Sequence, residues 1–245
     1  MSVKEYIMKK LDSEKMHMTL IDPDDQSPEE AAKIAKLAKR AGTDAIMIGG
    51  STGITRELMD KTIKEIKKVV DLPVIIFPNS ASVLSPYADA LYFMSLLNSE
   101  DIDMVIGQQV KGAVYVKKMG IEPISMGYII VEPGMTVGKV GKARPIPRSR
   151  PELAVAYALA AEYLGMSLVY LEAGSGAPEP VPANMIRAVK REITVPLIVG
   201  GGIRTASAAR EIGRAGADII VTGTVVEVAE DIENVLGDIV ASFKS

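Results

Sequence analysis

Short apolar runs rich in β-branched residues alternate along the whole chain with stretches whose apolar positions recur at helical spacing. The runs at 16–22, 44–49, 73–77, 89–94, 124–131, 168–172, 196–200 and 218–222 predict eight strands. Helical patterns fill most gaps, at 28–41 and about 55–69, 101–118, 151–164, 182–192, 205–215 and 226–242. The first of these opens with Ser27 as N-cap, Pro28 at the first helical position and Glu29 and Glu30 in the first turn. This alternation belongs to α/β folds with a parallel sheet, and eight units in 245 residues predict one (βα)8 TIM-barrel domain spanning 1–245.

A weak internal repeat supports that count. Ala41-Gly42-Thr43-Asp44-Ala45-Ile46 parallels Ala215-Gly216-Ala217-Asp218-Ile219-Ile220, and Leu72-Pro73-Val74-Ile75-Ile76 parallels Val195-Pro196-Leu197-Ile198-Val199. In the Ala-Gly copies the glycine stops a helix and a strand begins within two residues. The third unit departs from the pattern, because 78–88 is too short and too rich in Pro and Ser for a crossover helix. An irregular third unit would leave an open flank. The stretch 132–150 reads as the longest loop without a regular pattern, and Lys139, Lys142, Arg144, Arg148 and Arg150 suit an active-site lid carrying positive charge.

Composition narrows the setting. Hydrophobic residues make up 48% of the chain, enough for a large core. The absence of cysteine removes disulfides, thiolate nucleophiles and cysteine metal sites. A formal net charge of −3, with both signs interspersed, argues against a nucleic-acid binder. Neither a secretory signal nor a transmembrane run is present, so a cytoplasmic protein is expected.

The chemistry concentrates at the strand ends, where barrels of this type carry their active sites. Tyr170-Leu171-Glu172-Ala173-Gly174-Ser175-Gly176, Val199-Gly200-Gly201-Gly202-Ile203 and Thr222-Gly223-Thr224 each place glycine after a β-branched run. Loops without Cβ atoms let several N–H groups approach one dianion, with a helix N-terminus expected behind each loop. A branched side chain at Gly201 would then be expected to meet the bound phosphate. Plain β–α turns are the competing reading. Asp22 at the end of the first strand and Ser51 at the end of the second suggest a sparse Mg²⁺ site of oxygen donors, with Asp24 and Asp25 in reserve. An Asx turn ahead of Pro23 would account for Asp22 equally well. Glu172 fits a general base beside the phosphate cup, or a structural carboxylate held by backbone N–H groups. His17, the one histidine, falls near the start of a strand and is not expected to be catalytic. Phe77, Pro78, Tyr92, Phe93, Met94, Leu96, Leu97 and Tyr128 cluster at the open flank and read mostly as core, with room for a long apolar substrate.

The stretches His17-Met18-Thr19-Leu20-Ile21-Asp22-Pro23, Ile48-Gly49-Gly50-Ser51, Ser95-Leu96-Leu97-Asn98-Ser99, Gly127-Tyr128, Tyr170 to Gly176 and Val199 to Arg204 resemble geranylgeranylglyceryl phosphate synthases over nearly the whole chain. The resemblance implies a modified TIM barrel lacking a regular third helix, and a prenyltransferase joining sn-glycerol 1-phosphate to geranylgeranyl diphosphate or another polyprenyl diphosphate. It implies Mg²⁺ on Asp22 and Ser51, and glycerol phosphate on Tyr170, Leu171, Glu172, Ala173, Gly174, Ser175, Gly176, Gly201, Gly202, Gly223 and Thr224. Glu172 would take the proton of the 3-hydroxyl. Related bacterial heptaprenyl enzymes carry lysine two residues before the metal aspartate, where this chain has Leu20, so the resemblance is to the archaeal-type group. A homo-oligomer is expected, with peripheral membrane contact through the lipid product. Two alternatives remain: a phosphosugar isomerase on the same barrel, which needs a facing acid and base, and a glycerol-phosphate-sensing regulator, which needs a basic RNA-binding face.

Overall fold

A computed structural model describes residues 1–50, 53–229 and 231–245. Among the described residues the strands are β1 (Met16–Ile21), β2 (Ala45–Ile48), β3 (Val74–Ile76), β4 (Ala90–Leu96), β5 (Glu122–Ile130), β6 (Leu168–Glu172), β7 (Leu197–Gly200) and β8 (Ile219–Thr222). They pair in sequence order, all parallel, and β8 closes on β1 with Met16 opposite Ile219 and Thr19 opposite Thr222. The predicted barrel is therefore what forms. Its strands are buried on both faces, as parallel strands under helices must be, which is why they read as continuous apolar runs.

Alternation divides the core. Met18, Met47, Tyr92, Met126, Tyr170 and Ile198 point inward and fill the barrel, while their neighbours pack outward against helices. A helix that the sequence reading missed, α1 (Val3–Leu11), plugs the lower end with Val3 and Ile7. Ser2 and Glu5 form its capping box, and the Glu122 carboxylate accepts from the N–H of Val3 at 2.6 Å. The outer layer continues with α2 (Pro28–Arg40) and α3 (Arg56–Val69).

After β3 the regular pattern breaks as expected. A single 3₁₀ turn, Ala81–Val83, stands where a crossover helix would lie. The helix after β4, α4 (Gln108–Met119), is preceded by a π-helical turn at Asp103–Gly107 and leans toward that gap, with Gly112 facing Ala81 and Leu84.

Two expectations change. The stretch 132–150 is not irregular throughout: it contains α5 (Met135–Val140), missed because Gly134, Gly138 and Gly141 mask its period. After α6 (Pro151–Tyr163), α7 (Ala183–Glu192) and α8 (Ala206–Ala215), the single terminal helix read at 226–242 is instead two, α9 (Thr224–Val228) and α10 (Ile232–Lys244). No helix among the described residues is long and apolar enough to cross a membrane.

Candidate active site

The upper end of β6 delivers Glu172 to the mouth of the barrel. The residue is 6% exposed, and its Oε1 accepts from the N–H of Gly174 at 2.5 Å. Burial pushes this carboxyl above the ordinary range, while the Gly174 N–H and the hydroxyls of Tyr170 and Tyr128 counter the rise. Those two rings stack edge to face with centroids 5.1 Å apart.

Neighbouring glycines are dictated by the same packing. A side chain at Gly200 would overlap the Tyr170 hydroxyl, and one at Gly201 would overlap Glu172 Oε1 and lie 2.6 Å from the Gly174 nitrogen. Gly201 and Gly202 also turn through φ of 81° and 71°, which favours glycine independently of space. The N–H groups of Ser175, Gly176, Gly201, Gly202, Gly223 and Thr224 donate to no acceptor among the described residues. They form a set of partly exposed donors from three loops. Ser175 Oγ and Thr224 Oγ1 meet at 3.1 Å across the top, and Arg204 Nη2 donates to the Gly176 carbonyl at 2.8 Å.

Two of the residues named from sequence turn away from this set. Leu171 and Ala173 pack into the outer core, and the backbone of Ala173 is engaged by Gly200 and Gly134. The expected helix behind each loop is present only in part: α8 and α9 follow their loops closely, whereas α7 starts at Ala183, well beyond Gly176.

Asp22 directly follows β1, the strand that pairs with β8. Its Oδ1 accepts from the Asp24 N–H at 3.0 Å, so the Asx turn is real. Its other oxygen abuts Gly50, where any side chain would overlap it. Burial first, and then the charges of Asp25 and Asp24, raise the Asp22 carboxyl, and among the described residues no Lys or Arg pairs with it. Glu227, missed in the sequence reading, borders the same cavity and is raised by burial and by Asp25 and Asp22. An oxygen-rich site with unrelieved negative charge fits a hard cation such as Mg²⁺, which takes few protein ligands. No cluster of three or more His, Asp or Glu side chains placed to hold a metal occurs among the described residues. Ser51, the other expected ligand, lies outside the described residues.

From Glu172 and Ser175 a continuous cavity runs past Phe77 and Pro78 and down the outside of β4. Tyr92, Phe93, Met94, Leu96 and Tyr128 border it too, while Tyr92, Leu96 and Tyr128 stay buried in the barrel core, so the cluster is largely core, as read, with one side facing the cavity. Leu97 does not border the cavity and packs against the outer core. The missing helix after β3 contributes by leaving Leu91 and Phe93, which face outward from β4, bordering this space. The 132–150 stretch gives this cavity Val137, Val140 and Gly141, not cations. Lys142 pairs with Asp101 at 2.7 Å, Arg148 with Glu179 at 3.0 Å, and Arg150 with Glu152, so the expectation of a positively charged lid does not hold for them.

His17 sits below the site, fully buried. Its ring nitrogens meet Thr43 Oγ1 at 2.7 Å and Thr222 Oγ1 at 2.9 Å, and burial pushes its pKa down to about 3. It is a neutral structural group.

A family model described as the PcrB family matches residues 9–243. The chain is 59% identical over 231 residues to a geranylgeranylglyceryl phosphate synthase of Pyrococcus horikoshii, covering 94% of this chain and 91% of that protein. It is 53% identical over the full length of both chains to a protein of the same name from Methanothermobacter thermautotrophicus. The fold superposes with a TM-score of 0.97, at 52% identity and over 100% of this chain and 99% of the other, on (S)-3-O-geranylgeranylglyceryl phosphate synthase from Thermoplasma acidophilum, crystallised with its substrate sn-glycerol-1-phosphate.

Proposed function

The chain belongs to the PcrB family, and on that premise we propose that it is a prenyltransferase joining sn-glycerol 1-phosphate to geranylgeranyl diphosphate, giving 3-O-geranylgeranylglyceryl 1-phosphate and diphosphate. One observation carries the reading: Glu172 lines the cavity of the apolar groove and at the same time packs against Gly201, in the loops whose backbone donors are free among the described residues. Phosphate on the N–H groups of Gly201, Gly202, Gly223 and Thr224 leaves the glycerol hydroxyls directed at Glu172. The 3-hydroxyl then meets a carboxylate whose proton affinity burial has already raised toward that of a general base.

The apolar tail of the second substrate occupies the groove, and its reactive end stops beside Phe77 and Tyr128, which pack edge to face with ring centroids 5.3 Å apart. These rings exclude water and bring aromatic π density near the positive charge developing at the allylic carbon. Mg²⁺, held by Asp22 and Ser51, would neutralise the departing diphosphate. Glu172 takes the hydroxyl proton as the carbon–oxygen bond forms and the carbon–diphosphate bond breaks. No covalent enzyme intermediate is needed, and the isomerase alternative leaves the groove without a use.

The reading keeps the enzyme in the cytoplasm and as a homo-oligomer. Ile102, Ile106, Val110 and Val114 support the latter, since they lie exposed at helical spacing along α4 and the turn before it. Incubation with Mg²⁺, geranylgeranyl diphosphate and either sn-glycerol 1-phosphate or its 3-phosphate enantiomer, with mass detection of the ether product, tests the activity. Product from the first alone is expected, and no product from either would overturn the assignment.

A further inference from the structure

The loop that carries Glu172 is braced from outside the cup. The Gly134 N–H donates to the Ala173 carbonyl at 3.0 Å, and a Cβ at Gly174 would lie 2.6 Å from both Cβ and Cγ of Met135 and 2.8 Å from the Gly134 carbonyl carbon. Gly201 bears on the same residue from another side, since a Cβ there would fall 2.6 Å from the Gly174 nitrogen and 2.7 Å from its oxygen. Gly174 is wedged between them. Its N–H is a donor to Glu172 Oε1.

Met135 holds this place at a conformational cost. Its φ is 46°, in the left-handed region where a side chain is disfavoured and glycine would sit freely. Among the described residues the only other non-glycine residue with positive φ is Lys142. Lys142 directly follows the C-cap of α5, where a left-handed residue ordinarily ends a helix. Met135 stands instead at the first position of α5, where helical residues have negative φ. A side chain kept in spite of its backbone points to what it packs on, here Gly174 and the edge of the outer core.

We propose that Met135 is a positioning residue for the transfer step: its side chain clamps Gly174, so that the Gly174 N–H keeps the Glu172 carboxylate aimed at the glycerol hydroxyl. The assignment rests on the prenyl-transfer reading above, with Glu172 as the base. It gives the 132–150 stretch a part in the reaction that its charges do not supply.

The test compares Met135→Gly, which frees the backbone and removes the clamp, with Met135→Leu, which keeps an apolar side chain of similar size. Single-turnover prenyl transfer at saturating substrates should fall by about tenfold or more in Met135→Gly, the scale of a misplaced catalytic group, and Met135→Leu should recover most of it. The acid limb of the pH–rate profile should move to higher pH in Met135→Gly, because a carboxylate that loses an N–H donor holds its proton more tightly, while the Tyr128 and Tyr170 hydroxyls that also face it are unchanged. A merely structural role would lower the melting temperature and leave rate and profile at wild-type values, which overturns the proposal. Hydrogen exchange of the Gly174 amide tests the clamp without turnover: it should be about tenfold faster in Met135→Gly, and equal exchange overturns the proposal as well. Should Met135→Gly fail to fold, Met135→Ala replaces it in all three measurements. A wild-type enzyme that makes no ether product fails differently: it removes the prenyl-transfer reading, and the amide exchange still decides the clamp.

Discussion

Gly201 turns directly over the Glu172 carboxylate, at a point where any Cβ would overlap Oε1. The base and the phosphate cup are thus one packed unit. Glu172→Gln preserves the shape and the acceptor for the Gly174 N–H but removes the base, so kcat should fall by roughly 10²- to 10⁴-fold. Burial raises the folded-state pKa of Glu172 above its unfolded value, so the charged form costs stability that is regained as pH falls through the folded pKa. The same variant should therefore melt higher than wild type at pH 7. Single-turnover rates and thermal melts check both; a rate within about threefold of wild type would make Glu172 a structural carboxylate.

Gly201→Ala separates the cup from the base. The sequence suggests a collision with bound phosphate, but the nearer obstacles are Glu172 and Gly174 on this chain. The variant should lose roughly 1–3 kcal/mol of stability from its φ of 81° and lose kcat along with phosphate affinity, as Glu172 is displaced. A rise in KM alone, with kcat intact, would show that the loop yields without moving the carboxylate.

The strand order, the strand-end position of Glu172 and the irregular third unit are legible from sequence because each rests on a local signal: a β-branched run, a glycine loop, a Pro- and Ser-rich gap. Helix α1 carries its signal too, in the Ser2 and Glu5 capping box, but lacks a strand before it to mark a βα unit. The groove is harder to see. Phe93 has the same sequence character as a core residue, and only the absence of a neighbouring helix leaves it bordering the cavity. The charges of 132–150 mislead for a related reason, since Asp101, Glu179 and Glu152, the acids that pair with three of them, lie outside that stretch.

Asp22 follows β1 and the loops of the phosphate cup follow β6, β7 and β8, so metal and phosphate are carried by different strands, with Glu172 at the end of β6. Asp22→Asn should therefore reduce Mg²⁺-dependent turnover by about 10²-fold or more, the loss expected when several kcal/mol of charge stabilisation go. Binding of sn-glycerol 1-phosphate should stay near wild type. Rates against Mg²⁺ concentration, paired with calorimetry of the glycerol phosphate, distinguish the two effects. Loss of phosphate binding with turnover retained would move the metal elsewhere.

His17 gives a pH dependence that owes nothing to catalysis. Its pKa is about 3 in the folded protein, because burial first and Lys244 second disfavour the imidazolium, against about 6.5 in an unfolded chain. Between those values the unfolded state binds more protons, so stability is complete above pH 6.5 and is lost as pH falls toward 3. The full difference corresponds to on the order of 5 kcal/mol. The charge cannot be relieved in place: Thr43 and Thr222 are neutral partners, and Lys244 adds repulsion. Chemical denaturation at intervals from pH 7 to pH 4 should show that decline, and His17→Gln should flatten it while lowering stability at pH 7, where the threonine pair loses its fitted partner. If the two proteins decline in parallel, carboxylates and not His17 govern the acid limb.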